Sequence, residues 1–319
     1  MRFPTVFFLW ILYLSSCGKE NPQPVELKTN DSDKLFRNAT QGTHLLEDGS
    51  NYEGQLVLNL PEGFGTKEFA NGDVYQGQFE KGLAHGHGIM RYKSKEGFQR
   101  YYGNWSSGKR AGFGTLVMSD GTEYVGEWIK GELAYGKFIS LEGSTYFGRW
   151  ENGMLMEGVA TTPEGENFTG IFNKKGEYLE GSLIFAAGIR FHGTFHEGKF
   201  HGTGIHEQED EIFLGGFLNG EKSGIGVLVD PSGSRYVGEF ANDLPNGYGV
   251  QSDQTGVTYS GSWLLGERDG EGKLIFEDNS SFVGYFEGGL AIDGTYFWPD
   301  GSTSRSYQDA NGNWQDFQE

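Results

Sequence analysis

The sequence predicts an all-β protein: an elongated single-layer antiparallel sheet of about eleven stacked β-hairpins. The first observation is a repeat, because an aromatic residue followed two positions later by glycine recurs at eleven regularly spaced positions. The steps between repeats are 22 or 23 residues, with one step of 26. The second observation is that 53 of the 319 residues are glycine, more than twice the usual share of about 7%. Self-similarity at a short period indicates a stacked array and leaves little length for a separate catalytic domain.

Residues 1–16 have the features of a secretory signal peptide. Arg2 supplies the positive charge, and an apolar run from Val6 to Leu14 is too short to span a bilayer. This run leads into Leu14-Ser15-Ser16-Cys17, which resembles the lipobox of bacterial lipoproteins. In that family the cysteine is lipidated and becomes the mature N-terminus. The resemblance implies lipidation at Cys17 and a place in the cell envelope, with the outer membrane favoured over the inner. The alternative is a secreted or signal-anchored protein.

Residues 17–45 are predicted to be the lipidated cysteine and a flexible tether. The segment is polar, contains Pro22 and Pro24, and has no sustained apolar period. Such a tether would lift the following array, residues 46–297, off the membrane.

Each repeat is predicted to be one hairpin of two short strands. In the repeat that opens at Tyr75, the residues Tyr75, Gly77 and Phe79 have strand spacing and share one face. The glycine leaves room for the rings to fold over bare backbone, and Gly82 allows the turn. A lone hairpin is unstable in water, whereas eleven in series shield one another. The first rings of the eleven repeats are Tyr52, Tyr75, Tyr101, Tyr124, Tyr146, Phe168, Phe191, Phe213, Tyr236, Tyr259 and Phe282.

The pattern Tyr-x-Gly-x-Trp/Phe-x-x-Gly-x-x-x-Gly-x-Gly resembles the MORN repeat over about residues 50–297. The resemblance implies an elongated sheet of stacked hairpins that acts as a scaffold, as a protein-binding or dimerising surface, or in some cases as a proposed phospholipid-headgroup binder. The residues predicted to form the repeat core are Tyr75, Gly77, Phe79, Tyr101, Gly103, Trp105, Tyr124, Gly126, Trp128, Tyr259, Gly261 and Trp263. Two repeats match throughout, through Gly108, Gly112 and Gly114 in one and Gly266, Gly270 and Gly272 in the other.

Some repeats depart from the pattern. The repeats that open at Tyr124, Tyr146 and Phe282 have their later glycine one place earlier, at Gly136, Gly158 and Gly294. In the repeat that opens at Phe168, Lys175 replaces the turn glycine, so we expect a bulge or kink around residues 172–182. The first repeat has Leu56 and Asn59 at two pattern positions, which suits a capping unit. Residues 298–319, with Trp298 and Trp314, are predicted to be a C-terminal cap or tail.

The second face of the sheet is defined by the residue after each first ring. This residue is polar in early repeats, as at Gln76, and apolar in many later ones, as at Leu214 and Val237. A single layer does not bury both faces by itself. Two alternatives stay open: curling and the C-terminal segment cover this surface, or a partner does.

Charge and residue types exclude several functions. A net charge of −19 repels phosphate backbones, so nucleic acid is not an expected partner. His192, His196, His201 and His206 cluster in sequence, but two histidines four residues apart on a strand lie too far apart for one metal ion. No serine sits in a Gly-x-Ser-x-Gly turn, and Cys17 is the only cysteine. We therefore expect no catalysis, no metal and no cofactor.

The expected function is a non-catalytic, membrane-anchored scaffold that presents its repeat surface to a protein partner. The alternative is binding of a phospholipid headgroup or a glycan at the cell envelope, because exposed rings stack on sugars. An envelope hydrolase is a third and less favoured reading. The sequence leaves the oligomeric state open.

Overall fold

The structure is a computed structural model that describes residues 40–94 and 97–317. The predicted signal peptide, Cys17 and most of the predicted tether lie outside the described residues. The described chain contains 25 β-strands and no helix. No segment of it is therefore a helix long and apolar enough to cross a membrane.

The strands have the following bounds. They are β1 Thr40–Leu45, β2 Asn51–Val57, β3 Leu60–Glu68, β4 Val74–Glu80, β5 Leu83–Ser94, β6 Gly97–Ser106, β7 Lys109–Val117, β8 Glu123–Ile129, β9 Glu132–Ile139, β10 Thr145–Glu151, β11 Met154–Thr161, β12 Asn167–Phe172, β13 Tyr178–Ile184, β14 Arg190–His196, β15 Lys199–Gln208, β16 Glu211–Leu218, β17 Glu221–Val229, β18 Arg235–Ala241, β19 Leu244–Ser252, β20 Thr258–Leu264, β21 Glu267–Ile275, β22 Ser281–Glu287, β23 Leu290–Phe297, β24 Thr303–Gln308 and β25 Trp314–Asp316.

Every strand pairs antiparallel with its neighbour in the chain, which makes one open sheet from β1 to β25. The predicted fold class, a single-layer antiparallel sheet of stacked hairpins, is confirmed. Eleven repeats supply the 22 strands from β2 to β23. The other three strands, β1, β24 and β25, extend the sheet beyond the repeat pattern at its two edges.

The sheet begins earlier than the sequence predicted. Thr40 to Leu45, assigned above to the tether, form β1 and pair with the strand that carries Tyr52. The residues around Gly42 lack the aromatic pattern, so composition alone gave no strand signal there. They are ordered because the free edge of β2 supplies backbone partners for them.

The hairpin turns explain why each repeat reverses tightly. In the turn between β4 and β5, Lys81 and Gly82 both have positive φ, 50° and 81°. Positive φ at both central residues defines the type I′ turn, whose twist matches that of paired strands. The Phe168 repeat is different: its turn spans Asn173 to Glu177 and places Gly176 at positive φ. Lys175 therefore does not occupy a two-residue turn.

A bulge interrupts the register in all eleven repeat hairpins. The bulge expected near residues 172–182 occurs between Ile171 and Phe172, but it is a property of every repeat. In the repeats whose later glycine comes one place earlier, the bulge contains one residue fewer. Gly126 still faces Gly136, as Gly77 faces Gly88 in a full repeat.

Candidate binding face

The two faces of the sheet differ in what covers them. The face that carries the first and second rings of each repeat, here the ring face, holds the buried side chains, and Tyr75 and Phe79 are 0% and 5% exposed. The opposite face, here the open face, carries the residues on either side of each glycine. No described segment packs over it as a second layer, because all the strands belong to one sheet.

One glycine from each strand lines up across the sheet from β1 to β23. Gly65, Gly77, Gly88 and Gly103 face one another in consecutive strands, and the pattern continues from Gly42 to Gly294. A Cβ on Gly77 would lie 2.7 Å from the Tyr75 hydroxyl oxygen, so the ring occupies the space that a side chain would need. We call this row the glycine line.

The rings of the ring face interlock across repeats. Tyr75 packs edge-to-face on Phe79 of its own repeat at 5.0 Å and on Trp105 of the next repeat at 5.2 Å between ring centroids. The same alternation links Tyr236 to Phe240 and to Trp263. Such pairs contribute about 0.5–1.5 kcal/mol each beyond burial. The rings are therefore the link that makes neighbouring repeats one cooperative unit.

Polar atoms of these rings bond to the backbone. The Tyr75 hydroxyl donates to the Gln78 carbonyl oxygen at 3.0 Å, and the Tyr259 hydroxyl donates to the Ser262 carbonyl at 2.9 Å. Burial raises the pKa of Tyr259 to about 12, so its hydroxyl stays a neutral donor. The Trp128 indole donates to the Gly114 carbonyl of the preceding repeat at 3.0 Å.

The structure places the predicted core residues on the ring face with one difference. Tyr124 is only partly buried and stacks on Phe138 at 4.7 Å, instead of lying over its glycine pair. The other predicted core rings are buried and packed edge-to-face on a neighbouring ring: Tyr75, Phe79, Tyr101, Trp105, Trp128, Tyr259 and Trp263. The predicted glycines all lie on the glycine line: Gly77, Gly103, Gly126 and Gly261.

On the open face, the residues after the first rings form a continuous row with their cross-strand partners. From β15 to β19 this row is entirely apolar and contains consecutive partners. We call these five residues the apolar stretch: Ile205, Leu214, Val227, Val237 and Val250. Leu214 is 48% exposed and Val250 is 38% exposed. Of the two alternatives left open by the sequence, curling therefore does not bury this surface, and the C-terminal Trp314 packs on Phe282 of the ring face instead.

A furrow follows the glycine line on the open face near each end of the array. The N-terminal furrow has a volume of about 820 Å³ and is lined by Phe64, Gln76, His87 and Tyr102 among others. Phe64 is 72% exposed. Sequence reasoning missed Phe64 as a surface residue, although its signal, an aromatic directly before the second glycine of a hairpin, recurs at Phe113 and Tyr248.

The C-terminal furrow is smaller, and its lining carries one residue of each charge. Its volume is about 500 Å³, and its lining includes Tyr248, Glu271, Lys273 and Tyr285. The Tyr285 hydroxyl donates to Glu271 at 2.7 Å, and this carboxylate raises the pKa of the phenol. Exposed rings therefore line both furrows, which differ in their polar residues: Glu53, Thr66, Gln76 and His87 line the N-terminal furrow, and Ser260, Glu271 and Lys273 line the C-terminal furrow.

The histidines that cluster in sequence divide in the structure: the rings of His196 and His201 lie with centroids 5.3 Å apart, and the other two lie on opposite faces of the sheet. His192 lies on the open face, where its Nδ1 is 2.7 Å from the Ser182 hydroxyl. His206 lies on the ring face against Phe200, and burial lowers its pKa. Among residues 40–94 and 97–317, no group of three or more His, Cys, Asp or Glu is placed to hold a metal ion.

Comparison with known proteins identifies the repeat. A family model described as MORN repeat matches residues 52–74, 75–96, 101–123, 191–208, 213–235, 236–258, 259–281 and 294–303. These segments together cover more than half of the chain. The stretch between residues 123 and 191 is outside them, and it contains the repeats that open at Tyr124, Tyr146 and Phe168.

Named relatives share the repeat region. The chain is 30% identical over 235 residues to alsin from Homo sapiens and, equally, to alsin from Mus musculus. The match covers 62% of this chain, and the chain spans only 13% of the length of alsin. Among solved structures, the chain is similar to the TCP domain of SAS-4 from Drosophila melanogaster, with a TM-score of 0.31 and 11% identity over 54% of this chain and 88% of that one.

Proposed function

The chain belongs to the MORN repeat family, and we propose that it is a non-catalytic scaffold whose open face binds a protein partner. The observation that carries the proposal is the apolar stretch. It places five aliphatic residues side by side on consecutive strands, beside exposed rings such as Tyr248. Leu214 and Val250 are exposed and the other three are partly buried, and contiguous apolar surface that is open to solvent is typical of interaction sites.

The mode of binding follows from the shape of the surface. The ring face is already filled by its own rings, so the open face is the large regular surface that remains. Aliphatic residues of the apolar stretch would be the buried centre of the contact, and the polar residues of neighbouring rows would form its rim. No residue in this arrangement needs to react, which is why the proposal is binding and not catalysis.

Site-specific photocrosslinking in intact cells tests this proposal. A photoreactive amino acid at Leu214 or Val250 is expected to give a discrete crosslinked product with one protein. The same amino acid at Asn242 or Glu197, exposed residues in hairpin turns, is the matched control and should not give it. Equal products from open-face and turn positions, or none from either, would remove the proposal.

A glycan is the second candidate ligand, favoured by the N-terminal furrow. Phe64 and Tyr102 are 72% and 43% exposed and lie near the neutral polar side chains of Gln76 and Thr66. Aromatic side chains stack on the apolar face of a sugar ring, and amide and hydroxyl groups form hydrogen bonds with its hydroxyl groups. Glycan-array and phospholipid-vesicle binding by delipidated protein, compared with Phe64→Ala, would separate sugar from headgroup recognition. Absence of binding in both assays would exclude this candidate.

We further propose that the scaffold is anchored to the cell envelope through a lipid on Cys17. The support is the apolar run and the Leu14-Ser15-Ser16-Cys17 sequence that follows it. Cys17→Ser is expected to move the protein out of the membrane fraction and to abolish incorporation of labelled fatty acid. Fatty acid incorporation that persists in the variant would contradict the anchor.

A further inference from the structure

Two histidines from different strands lie side by side on the open face. His196 is the last residue of β14, and His201 lies near the start of β15. Thr194 pairs directly with His201, so their side chains share a face, and alternation along β14 puts His196 on that same face. The two imidazole rings have centroids 5.3 Å apart and planes inclined at 52°. The hairpin therefore supplies the second strand that the separation of His192 and His196 along one strand lacks.

The separation of these rings is the one that two ligands of a single metal ion have. A zinc ion lies about 2.0–2.1 Å from a coordinating imidazole nitrogen, so the ring centroid is about 3.2 Å from the ion. Two such rings at a tetrahedral angle have centroids about 5.2 Å apart. The observed separation is 5.3 Å. Rotation of the imidazoles of His196 and His201 is therefore enough to place one nitrogen of each on a shared ion, without a change in the pairing of the strands.

His201 also has an unsatisfied nitrogen. Its Nδ1 is buried and has no hydrogen-bond partner among the described residues, and a buried polar atom without a partner costs free energy. The hairpin of β4 and β5 shows what this position requires. In His85, which takes the place of His201 there, Nδ1 lies 3.2 Å from a carboxylate oxygen of Glu80. In the hairpin of β14 and β15 the place of Glu80 is taken by His196, and this imidazole leaves Nδ1 of His201 for another partner.

The charges around the two histidines favour a cation. Glu180 pairs with Thr194 on the other side of β14, which places it on the open face, diagonal to His196 at a spacing of about 7–8 Å between Cα atoms. Glu197, in the hairpin turn, is also exposed. The opposing charge is on Lys199, the exposed partner of His196. Since the whole chain carries a net charge of −19, the field at its surface attracts positive ions.

From these features we infer that His196 and His201 together bind one divalent transition-metal ion. Imidazole nitrogen suits Cu²⁺, Ni²⁺ and Zn²⁺, with Cu²⁺ bound most tightly, whereas Mg²⁺ and Ca²⁺ prefer oxygen ligands. Two side chains leave at least two coordination positions of the ion open. His201 lies on β15, the strand on which the apolar stretch begins at Ile205. A protein bound at the apolar stretch would lie close to these open positions; this last point rests on the function proposed above, whereas the metal site itself does not.

Metal titration of the full chain, carrying no affinity tag, tests the site. Isothermal titration with CuCl₂ is expected to saturate at one ion per chain, with weaker binding of ZnCl₂ and none of MgCl₂. Binding should weaken as the pH falls, because protons compete with the ion for imidazole nitrogen. Electron paramagnetic resonance of the Cu²⁺ complex is expected to show two imidazole nitrogens on the ion. Absence of saturable Cu²⁺ binding, or a spectrum with a single nitrogen, would overturn the inference.

Two variants locate the site. His196→Gln and His201→Gln each remove one ligand and should lower the Cu²⁺ affinity by about tenfold or more, and the spectrum of either variant should lose one nitrogen. The matched controls are His85→Gln, in the equivalent place of another hairpin, and His192→Gln, an exposed histidine of the same strand. Equal loss of affinity in the controls, or no loss in the two site variants, would contradict the assignment.

A charge variant tests the same site with both histidines kept. Lys199→Gln removes the positive charge opposite His196 on an exposed side chain, so the fold should be retained and the Cu²⁺ affinity should rise by about threefold. Lys137→Gln, an exposed lysine on a distant strand, is the control and should have little effect. An equal rise in the two variants would show a general effect of net charge and would contradict an ion held beside His196.

The role of the ion in partner binding is decided separately. In a cell lysate, the crosslinked product from a photoreactive amino acid at Leu214 is expected to decrease when EDTA is added. In His196→Gln the product should already be weak and should not respond to EDTA. A wild-type product that EDTA leaves unchanged would remove this role of the ion. Failure of crosslinking altogether would count against the protein partner, and the metal titrations would stand.

Discussion

The glycine line runs through the regular repeats and through the repeats that open at Tyr124 and Tyr146, but different atoms exclude a side chain from it in the two regions. At Gly88 the atoms nearest to an added Cβ all belong to the Tyr75 side chain. At Gly136 they belong to the backbone of Val125 and Gly126 on the facing strand. The comparison shows that glycine is needed for close approach of the strands even where no ring lies above it. An aromatic ring that lies over the glycine is a second constraint, separate from the close approach of the strands.

The largest expected effect comes from adding a methyl group under a ring. Gly88→Ala forces Tyr75 off its site and should destabilise the neighbouring hairpins by about 3 kcal/mol. Tyr75→Leu should relieve part of this cost, with a coupling energy of about 2 kcal/mol in a double-mutant cycle. For Gly136→Ala, whose conflict is with backbone, Tyr124→Leu should give almost no relief.

Hydrogen exchange resolved along the chain is the suitable measurement, because a repeat array need not unfold as one unit. Protection should fall around β4 to β6 in Gly88→Ala and recover partly in the double variant. Equal coupling energies in the two cycles would contradict the distinction between ring-limited and backbone-limited glycines.

A smaller effect is expected from removing one hydroxyl group. Tyr75→Phe and Tyr259→Phe each lose a bond to a backbone carbonyl and should cost about 1 kcal/mol. Tyr124→Phe is the matched change in the irregular region. The Tyr124 hydroxyl makes no such bond to a described residue, and the cost there should be near zero. Hydrogen exchange resolved along the chain measures the loss of protection around each substituted residue, and a similar loss in all three variants would show that the carbonyl bonds contribute little.

Much of this fold could be predicted from the repeat period. The aromatic, glycine and turn positions of a repeat such as that of Tyr75 are local in sequence, so they indicate its strands and its turn directly. Residues outside the pattern gave no such signal, which is why β1 and the strands after Phe297 were not predicted. The unbroken glycine line was also not predicted, because Gly136 lies one position early in the sequence and only the smaller bulge restores its register.

The candidate sites depended on side-chain packing and were harder to predict. The apolar row of the open face follows from strand alternation, so Leu214 and Val237 were placed on it from the sequence. Whether that row was covered depended on the curl of the whole sheet. The stacking of Phe138 on Tyr124 and Tyr146 depends on the packing of three neighbouring strands. An aromatic residue at this position is not sufficient for it, because Tyr296 occupies the equivalent position while Phe282 still lies over its glycine pair.

The smallest expected effect concerns the ring-face position that Phe138 shares with His206. His206 replaces the usual aliphatic residue without interrupting the rings, since Phe191 still packs on Phe217 at 5.2 Å. Burial lowers the pKa of His206, and the charge of Lys222 lowers it further. His206 therefore takes up its proton at a higher pH in the unfolded chain than in the folded chain, and its contribution to the free energy of unfolding falls as pH drops below about 6.5.

His206→Leu introduces the residue found at Leu183 and Leu228 and should remove this pH dependence between pH 7.5 and pH 5. Hydrogen exchange in β14 to β17 at the two pH values measures it. The rest of the chain is the same in both proteins, so the difference between the variant and the wild type isolates the effect of His206. An equal loss of protection in the two proteins would show that His206 is as easily protonated in the sheet as in the unfolded chain.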